Sequence, residues 1–199
     1  MSVQYKILDR IRRKGRGWVF TPSDFLDFGS RAAVDQGLSR LAKGGTVRRL
    51  RRGIYDYPRS HKLLGMLAPP TDAVANALVR KDRKPLQVSG AQAANALGLT
   101  THVPARAVYL GAGPPKSIRI DGRVIRFRKA SPRNLCGMGS PAGDVFQAMR
   151  HLGKSGLDNA AVQRLRTILP DDVKKDLRRD LGLMPDWMRG PVKQITARI

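Results

Sequence analysis

The residues best suited to chemistry lie between positions 31 and 52, where basic and amide side chains recur at close spacing. Guanidinium and ammonium groups bind phosphate oxygens, and Arg, Lys and Gln side chains also match the hydrogen-bonding edges of bases. The candidates in a helix over 31–43 are Arg31, Gln36, Ser39, Arg40 and Lys43. The candidates in the hairpin that follows are Arg48, Arg49, Arg51 and Arg52. The pattern indicates contacts to the backbone and base edges of double-stranded DNA.

The helix over 31–43 also has a simpler interpretation. Its apolar residues Val34, Leu38 and Leu41 share one narrow arc, so the basic residues fit the solvated face of an ordinary amphipathic helix. The hairpin favours DNA binding, because a winged helix-turn-helix places its second helix in the major groove and its hairpin along the backbone. Gln36 would suit adenine, and Arg31 or Arg40 would suit guanine; the sequence leaves open which of these residues contacts a base.

The elements around these residues follow the order of a winged helix. The sequence predicts a helix over 5–14, a short strand over 17–20, and a helix that begins near Thr21 with Pro22 in its first turn. Ser30 then caps the helix over 31–43, and two β-prone runs flank a turn at 51–53. We therefore expect a winged helix-turn-helix domain over residues 1–60.

The remaining residues, 61–199, are expected to form a mixed α/β domain that serves partner or self-association. Short helices and strands precede a β-hairpin, whose turn is the Asp-Gly pair at 121–122. The final third reads as helices, the first of them capped by Ser140 with Pro141 in its first turn. The predicted fold class is α+β, with an N-terminal winged helix, this hairpin and a helical C-terminal third.

The hairpin after residue 117 carries a second group of basic side chains. A two-residue turn places its apolar residues on one face and Arg119, Arg126 and Arg128 on the other; the apolar residues are Ile118, Ile120, Ile125 and Phe127. This alternation is typical of a half-buried sheet with a solvated basic side. A second surface for anions, facing flanking DNA, RNA or an acidic partner, is the alternative.

The composition favours a polyanionic partner and offers little for catalysis. The net charge is +23, which attracts nucleic acid. All fifteen acidic residues are Asp, and a single cysteine, Cys136, excludes an intrachain disulfide and a Cys-based zinc site. We therefore predict no catalytic, metal or cofactor site, although a metal-dependent nuclease or transferase that uses Asp121 or Asp144 is a further alternative. Without an 18-residue apolar run or a signal peptide, we expect a cytoplasmic protein that binds no membrane.

Two segments carry a family resemblance. "GWVFTPSDF" and "VDQGLSRLAKGGTVRRLRRGIYDYP", within residues 5–58, resemble the N-terminal winged-helix domain of the AbiE-type antitoxins, the regulator half of bacterial type IV toxin–antitoxin systems. The stretch from "LAPPTDAVANALV" onward is similar to the second domain of a related antitoxin-like group. The resemblance implies an antitoxin that represses its own operon by binding promoter repeats. It also implies a nucleotidyltransferase toxin encoded nearby as partner.

The sequence thus predicts a DNA-binding transcriptional regulator that acts as an antitoxin. The alternative is an RNA-binding or protein-assembly module that uses its winged helix for contacts other than DNA. The operator sequence and the oligomeric state are left open.

Overall fold

The structure is a computed structural model that describes residues 1–197. It is a mixed α+β protein, as the sequence predicts, and its residues divide into two compact units. The first unit comprises Met1–Lys84 with Arg119–Arg123, and the second comprises Pro85–Ile118 with Val124 onward. None of the helices within residues 1–197 combines the length and the apolar character needed to cross a membrane.

The first unit begins with helices and a small sheet. Helix α1 spans Val3–Lys14, strand β1 Val19–Phe20, a 3-10 helix Pro22–Phe28 and helix α2 Arg31–Lys43. Strands β2 and β3, Arg48–Arg51 and Ile54–Asp56, form the predicted hairpin. The sheet order is β1-β3-β2, and both neighbouring pairs are antiparallel.

The core of this unit is aromatic and aliphatic. Phe20, Phe25 and Tyr55 pack between the sheet and the helices, with the Phe20 and Phe25 rings edge to face at 5.4 Å. The apolar stripe of α2 faces this core and buries Val34 and Leu38 completely. Burial of this kind stabilises the short helices, because helices of 12 or 13 residues are marginal by themselves in water.

The first unit extends past the boundary predicted near residue 60. A small antiparallel pair, β4 (Ser60–His61) and β5 (Gly65–Met66), leads to helix α3 (Thr71–Asp82). Helix α3 packs on β1 and the 3-10 helix, where Arg80 donates hydrogen bonds to the Val19 carbonyl at 2.7 Å and to Asp24 Oδ1 at 2.8 Å. These hydrogen bonds join residues that are far apart in sequence. A change in local composition therefore cannot predict that α3 belongs to the first unit.

The second unit combines most of a four-stranded sheet with a helical bundle; the tip of the hairpin that turns at residues 121–122, Arg119–Arg123, belongs to the first unit. Strands β6 (Gln87–Val88), β7 (Ala107–Gly111), β8 (Lys116–Ile120) and β9 (Arg123–Lys129) form a sheet in the order β6-β7-β9-β8, with β7 parallel to β9. The helices are α4 (Gly90–Ala96), α5 (Pro141–Gly156), α6 (Asn159–Ile168), α7 (Asp171–Arg179) and α8 (Asp186–Thr196), with 3-10 turns at Pro132–Asn134 and Asp180–Leu183.

The bundle encloses a large apolar core. Phe146, Met149, Leu165, Leu177 and Met188 are fully buried in it. The cap predicted for α5 is confirmed: Ser140 Oγ accepts a hydrogen bond from the Gly143 amide at 3.2 Å, with Pro141 in the first turn. The sequence therefore predicts the helical C-terminal third correctly.

The turn of the β8–β9 hairpin is also as predicted. Asp121 and Gly122 have φ values of 45° and 75°, the left-handed conformation that two-residue hairpin turns require. Along both strands the predicted apolar residues are buried, namely Ile118, Ile120, Ile125 and Phe127.

Candidate functional site

Helix α2 presents the predicted contact residues because its other face is tied to the core. Ser30 caps the helix by accepting a hydrogen bond from the Ala33 amide at 3.3 Å. Gly37 is buried against α1, where an added Cβ would lie 3.1 Å from Ile7 Cδ1. The close approach of α1 fixes the rotation of α2 about its axis. All five predicted side chains of this helix are consequently exposed, namely Arg31, Gln36, Ser39, Arg40 and Lys43.

The β2–β3 hairpin carries its arginines in two different ways. Arg49, Arg51 and Arg52 are exposed, whereas Arg48 is half-buried. The register shifts between Arg49 and Arg51, and Gly53 at the turn has a φ of 75° that favours glycine. We refer to the segment from Arg48 to Asp56 as the wing, after the hairpin of the winged helix that the sequence predicts.

A cleft of about 570 Å³ lies between α2 and the wing. It is lined by Arg31, Asp35, Ser39, Ala42, Lys43, Arg49, Arg52, Gly53 and Tyr55. We call it the wing cleft. It brings together five predicted residues, Arg31, Ser39, Lys43, Arg49 and Arg52, from two elements that are separate in sequence. Gln36, Arg40 and Arg51 are exposed but do not line it.

The charges of the wing cleft are only partly neutralised. Arg31 Nε lies 2.9 Å from Asp35 Oδ2, an exposed pair four residues apart on the helix. Within residues 1–197, Lys43, Arg49 and Arg52 form no ion pair with a carboxylate. Their donors are therefore open to an external anion. Phosphate oxygens suit such donors, since charge-assisted hydrogen bonds are the strong ones.

Arg48 is engaged by the protein itself. Its guanidinium contacts Asp56 through two hydrogen bonds and donates a third to the Leu67 carbonyl at 2.9 Å. Asp121, at the hairpin turn that belongs to the same unit, lies 3.3 Å from Arg48 Nη1. The hydrogen bond to Asp56 raises the pKa of Arg48 above its ordinary value. This residue stabilises the wing, in contrast to its three exposed neighbours.

The second group of basic residues is exposed in the structure. Arg119, Arg126 and Arg128 alternate with the buried apolar residues of β8 and β9, as the pattern predicts. Arg119 belongs to the first unit and the other two to the second. Their role as a second surface for anions stays a prediction.

Two features of the site are not predicted from the sequence. Asp35 lies in the wing cleft, and only its spacing of four residues from Arg31 could have indicated the pair. Arg10 binds Asp27 through two hydrogen bonds and lies 3.9 Å above the Phe28 ring, which ties α1 to the 3-10 helix before α2. Arg10 lowers the pKa of Asp27 from its ordinary value.

The residues considered for other chemistry are dispersed. Within residues 1–197, no three His, Cys or Asp side chains gather as a metal ion would require. Cys136 is buried, and burial raises the pKa of its thiol. Asp144 accepts a hydrogen bond from Gln87, whose side-chain oxygen accepts one from the Gly139 amide at 2.9 Å.

Comparison with known proteins gives a family but no function. No curated protein and no solved structure shows significant similarity to the chain. A family model described as a family of unknown function (DUF6088) matches residues 6–177. That match covers both units and most of the chain. The chain therefore belongs to the DUF6088 family.

Proposed function

We propose that the chain is a DNA-binding transcriptional regulator whose N-terminal unit acts as a winged helix-turn-helix. The observation that carries the proposal is the wing cleft, where Lys43 of α2 and Arg49 and Arg52 of the wing line one concave surface and have no carboxylate partner within residues 1–197. The order of α1, β1, the 3-10 helix, α2 and the β2–β3 hairpin supports it, because helix-turn-helix proteins present their second helix to the major groove.

The proposed roles follow from position. Helix α2 enters the major groove, with Arg31, Gln36 and Arg40 facing base edges and Ser39 and Lys43 facing the backbone. The wing follows the adjacent strand, and Arg49, Arg51 and Arg52 bind its phosphates. Arg48 stabilises the wing through its ion pair with Asp56. In this arrangement, the side chains at base edges would give sequence specificity, and the side chains at phosphates would give affinity.

The salt dependence of DNA binding tests this proposal. The double variant Arg49→Ala/Arg52→Ala should weaken binding to duplex DNA and flatten the slope of log K against log salt concentration by about 1.8, about 0.9 for each lost phosphate contact. Fluorescence anisotropy across a salt series measures both. Arg12→Ala is the matched control, because Arg12 is an exposed base of α1 outside the cleft. An unchanged slope in the double variant, or an equal change in the control, would contradict the proposal.

The regulatory and antitoxin parts of the proposal rest on the resemblance to the AbiE-type antitoxins. In this proposal the cytoplasmic protein represses its own operon through promoter repeats, and its partner is a nucleotidyltransferase toxin encoded beside it. A promoter–reporter fusion should be repressed by the chain and released by Arg49→Ala/Arg52→Ala. Expression of the adjacent gene should arrest growth, and co-expression of the chain should restore it. Failure of rescue with repression intact would leave a regulator without an antitoxin role.

A second candidate function, protein assembly, is favoured by one observation. Leu63, Leu64 and Met66 on the β4–β5 hairpin are 89%, 73% and 64% exposed. Exposed apolar residues grouped in this way are typical of protein contacts. Light scattering on the chain and on Leu63→Ser/Leu64→Ser would reveal self-association through this hairpin. In the RNA-binding version of this candidate, structured RNA would displace duplex DNA in a competition assay.

A further inference from the structure

A second basic cleft lies within the helical part of the second unit. Its volume is about 480 Å³, and its walls come from α6, α7 and the end of α8. Polar side chains line most of it, namely Arg166, Asp171, Lys174, Lys175, Arg178 and Thr196. We call it the C-terminal cleft. It shares no residue with the wing cleft.

Helix α7 supplies three of the cations because of its sequence period. Positions 171, 174, 175 and 178 follow the spacing of one helical face. Val173 and Leu177 are buried in the bundle core on the other face. Packing of the apolar face therefore holds Lys174, Lys175 and Arg178 toward the cleft.

Arg166 adds a fourth cation from the last turn of α6. Its Nε is buried and has no hydrogen-bond partner within residues 1–197. A buried guanidinium donor without an acceptor is unfavourable, and charged groups incur the largest penalty. Arg166 lines the cleft, so an anion bound there would offset this penalty by attracting the guanidinium charge.

Within residues 1–197, the lining of the C-terminal cleft carries more positive than negative charge. Asp171 is the one acidic side chain in the described lining, against four cations. Arg178 donates a hydrogen bond to the Thr196 carbonyl at the end of α8. One of the four cations therefore caps the C-terminus of that helix. Within residues 1–197, Arg166, Lys174 and Lys175 form no ion pair. Mutual repulsion of such closely placed charges is relieved when an anion binds between them.

We propose that the C-terminal cleft binds an oligophosphate group. Its volume is that of a small-ligand site, and its described lining contains no aromatic ring on which a base could stack. Recognition would depend on charge and hydrogen bonds, which phosphate oxygens accept. The phosphate groups could come from a free oligophosphate or from a nucleic-acid backbone. This site is independent of the wing cleft and of the function proposed for it.

Calorimetric titration with tripolyphosphate tests the site. The full chain is used in the Arg49→Ala/Arg52→Ala background, so that the wing cleft contributes less to anion binding. In that background tripolyphosphate should bind, and Lys174→Gln/Lys175→Gln should weaken its affinity about tenfold or more, as expected for lost charge-assisted hydrogen bonds. Both lysines lie at the cleft and outside the bundle core, so the variant should keep its fold, as circular dichroism would verify.

The control is Lys193→Gln, which removes one positive charge from the exposed face of α8 without touching the cleft. Its affinity for tripolyphosphate should stay within about twofold of the parent, since an exposed charge contributes little. Arg166→Gln is a second cleft variant and should weaken binding independently. Absence of binding, or an equal loss in the control and the cleft variants, would overturn the proposal.

A competition experiment identifies the source of the phosphate groups. Short duplex DNA is added to the tripolyphosphate complex of the same background variant. Displacement that requires Lys174 and Lys175 would assign the site to a nucleic-acid backbone. Retention of tripolyphosphate at saturating duplex would assign it to a free oligophosphate. Because Arg49 and Arg52 are absent from this background, failure here leaves the salt-slope test of DNA binding unaffected.

Discussion

Arg48 and Asp56 face each other across the β2–β3 pair and form a two-point ion pair, with Nε 3.1 Å from Oδ1 and Nη2 2.7 Å from Oδ2. Asp56 is 1% exposed, so the guanidinium compensates a carboxylate that water does not reach. This arginine therefore serves the fold, while Arg49 beside it is exposed in the wing cleft. Of the four arginines in positions 48–52, Arg48 is thus engaged by the protein, whereas Arg49, Arg51 and Arg52 are exposed.

Replacement of Arg48 should destabilise the first unit. We expect Arg48→Ala to lower the free energy of unfolding by about 3 kcal/mol, because it leaves the buried Asp56 without its partner. Arg49→Ala, on the exposed face of the same strand, should change it by less than about 0.5 kcal/mol. Urea unfolding measures both. Equal values for the two variants would contradict the assignment of Arg48 to the fold.

The pair between Arg10 and Asp27 should make stability depend on acid pH. The hydrogen bond from Arg10 lowers the pKa of Asp27. The stabilisation that this pair gives to the folded state is therefore complete above the unfolded-state pKa of about 3.9. It is lost as the pH falls through the lower folded-state pKa. When the pH is lowered from 6 to 2, the free energy of unfolding should therefore fall less in Asp27→Asn than in the parent. Urea unfolding at the two pH values measures this difference. In an Arg10→Ala background the substitution should have no such effect; an effect that persists there would point to another partner.

Removal of Asp35 should strengthen DNA binding. The substitution Asp35→Asn takes a negative charge out of the wing cleft and releases Arg31 from its pair. We expect a gain in affinity of about two- to fivefold at low salt, as for other exposed pairs. Anisotropy with duplex DNA measures it. Asp9→Asn makes the same charge change beside Arg13 on α1, and an equal gain there would indicate net charge rather than the cleft.

Two glycines of the second unit should respond to alanine in opposite directions. A Cβ at Gly143, in the first turn of α5, would lie 2.2 Å from the Gly137 carbonyl oxygen and 2.4 Å from Gln87 Oε1. Gly143→Ala should therefore destabilise the unit by about 1–3 kcal/mol. Gly182, in the 3-10 turn at Asp180–Leu183, has no atom of residues 1–197 within 4 Å of such a Cβ, and Gly182→Ala should stabilise by about 0.4–1 kcal/mol. Thermal unfolding of both variants checks the signs.

The local elements were predictable because their signals are local. The helix over 31–43 follows from an apolar period of 3.6 residues with a serine cap, and the structure has it at Arg31–Lys43. The hairpin at Asp121 and Gly122 follows from a dipeptide that accepts positive φ. Neighbouring residues alone decide such features, so one sequence suffices for them. The winged-helix assignment of the first unit stays a proposal.

Long-range pairing was not predictable in the same way. Nothing near Arg80 indicates that it binds Val19 and Asp24, the contacts that bring α3 into the first unit. Nor does the wing sequence distinguish Arg48 from Arg49, because both are arginines in one short strand. The difference between Arg48 and Arg49 depends on which of them lies opposite Asp56. The register of the β2–β3 pair decides this, and it places Arg48 opposite Asp56, eight residues further along the chain.

The sequence by itself determined the chemistry of this protein, namely a large excess of cations, no glutamate, and basic side chains on a helix and the hairpin after it. Only the tertiary structure decided where those cations lie relative to one another within each unit. It joined Arg31, Lys43, Arg49 and Arg52 around the wing cleft, and it gathered a second set on α6 and α7 around the C-terminal cleft. The physical reason is that charge is a property of each residue, whereas a binding surface depends on which buried faces pack together.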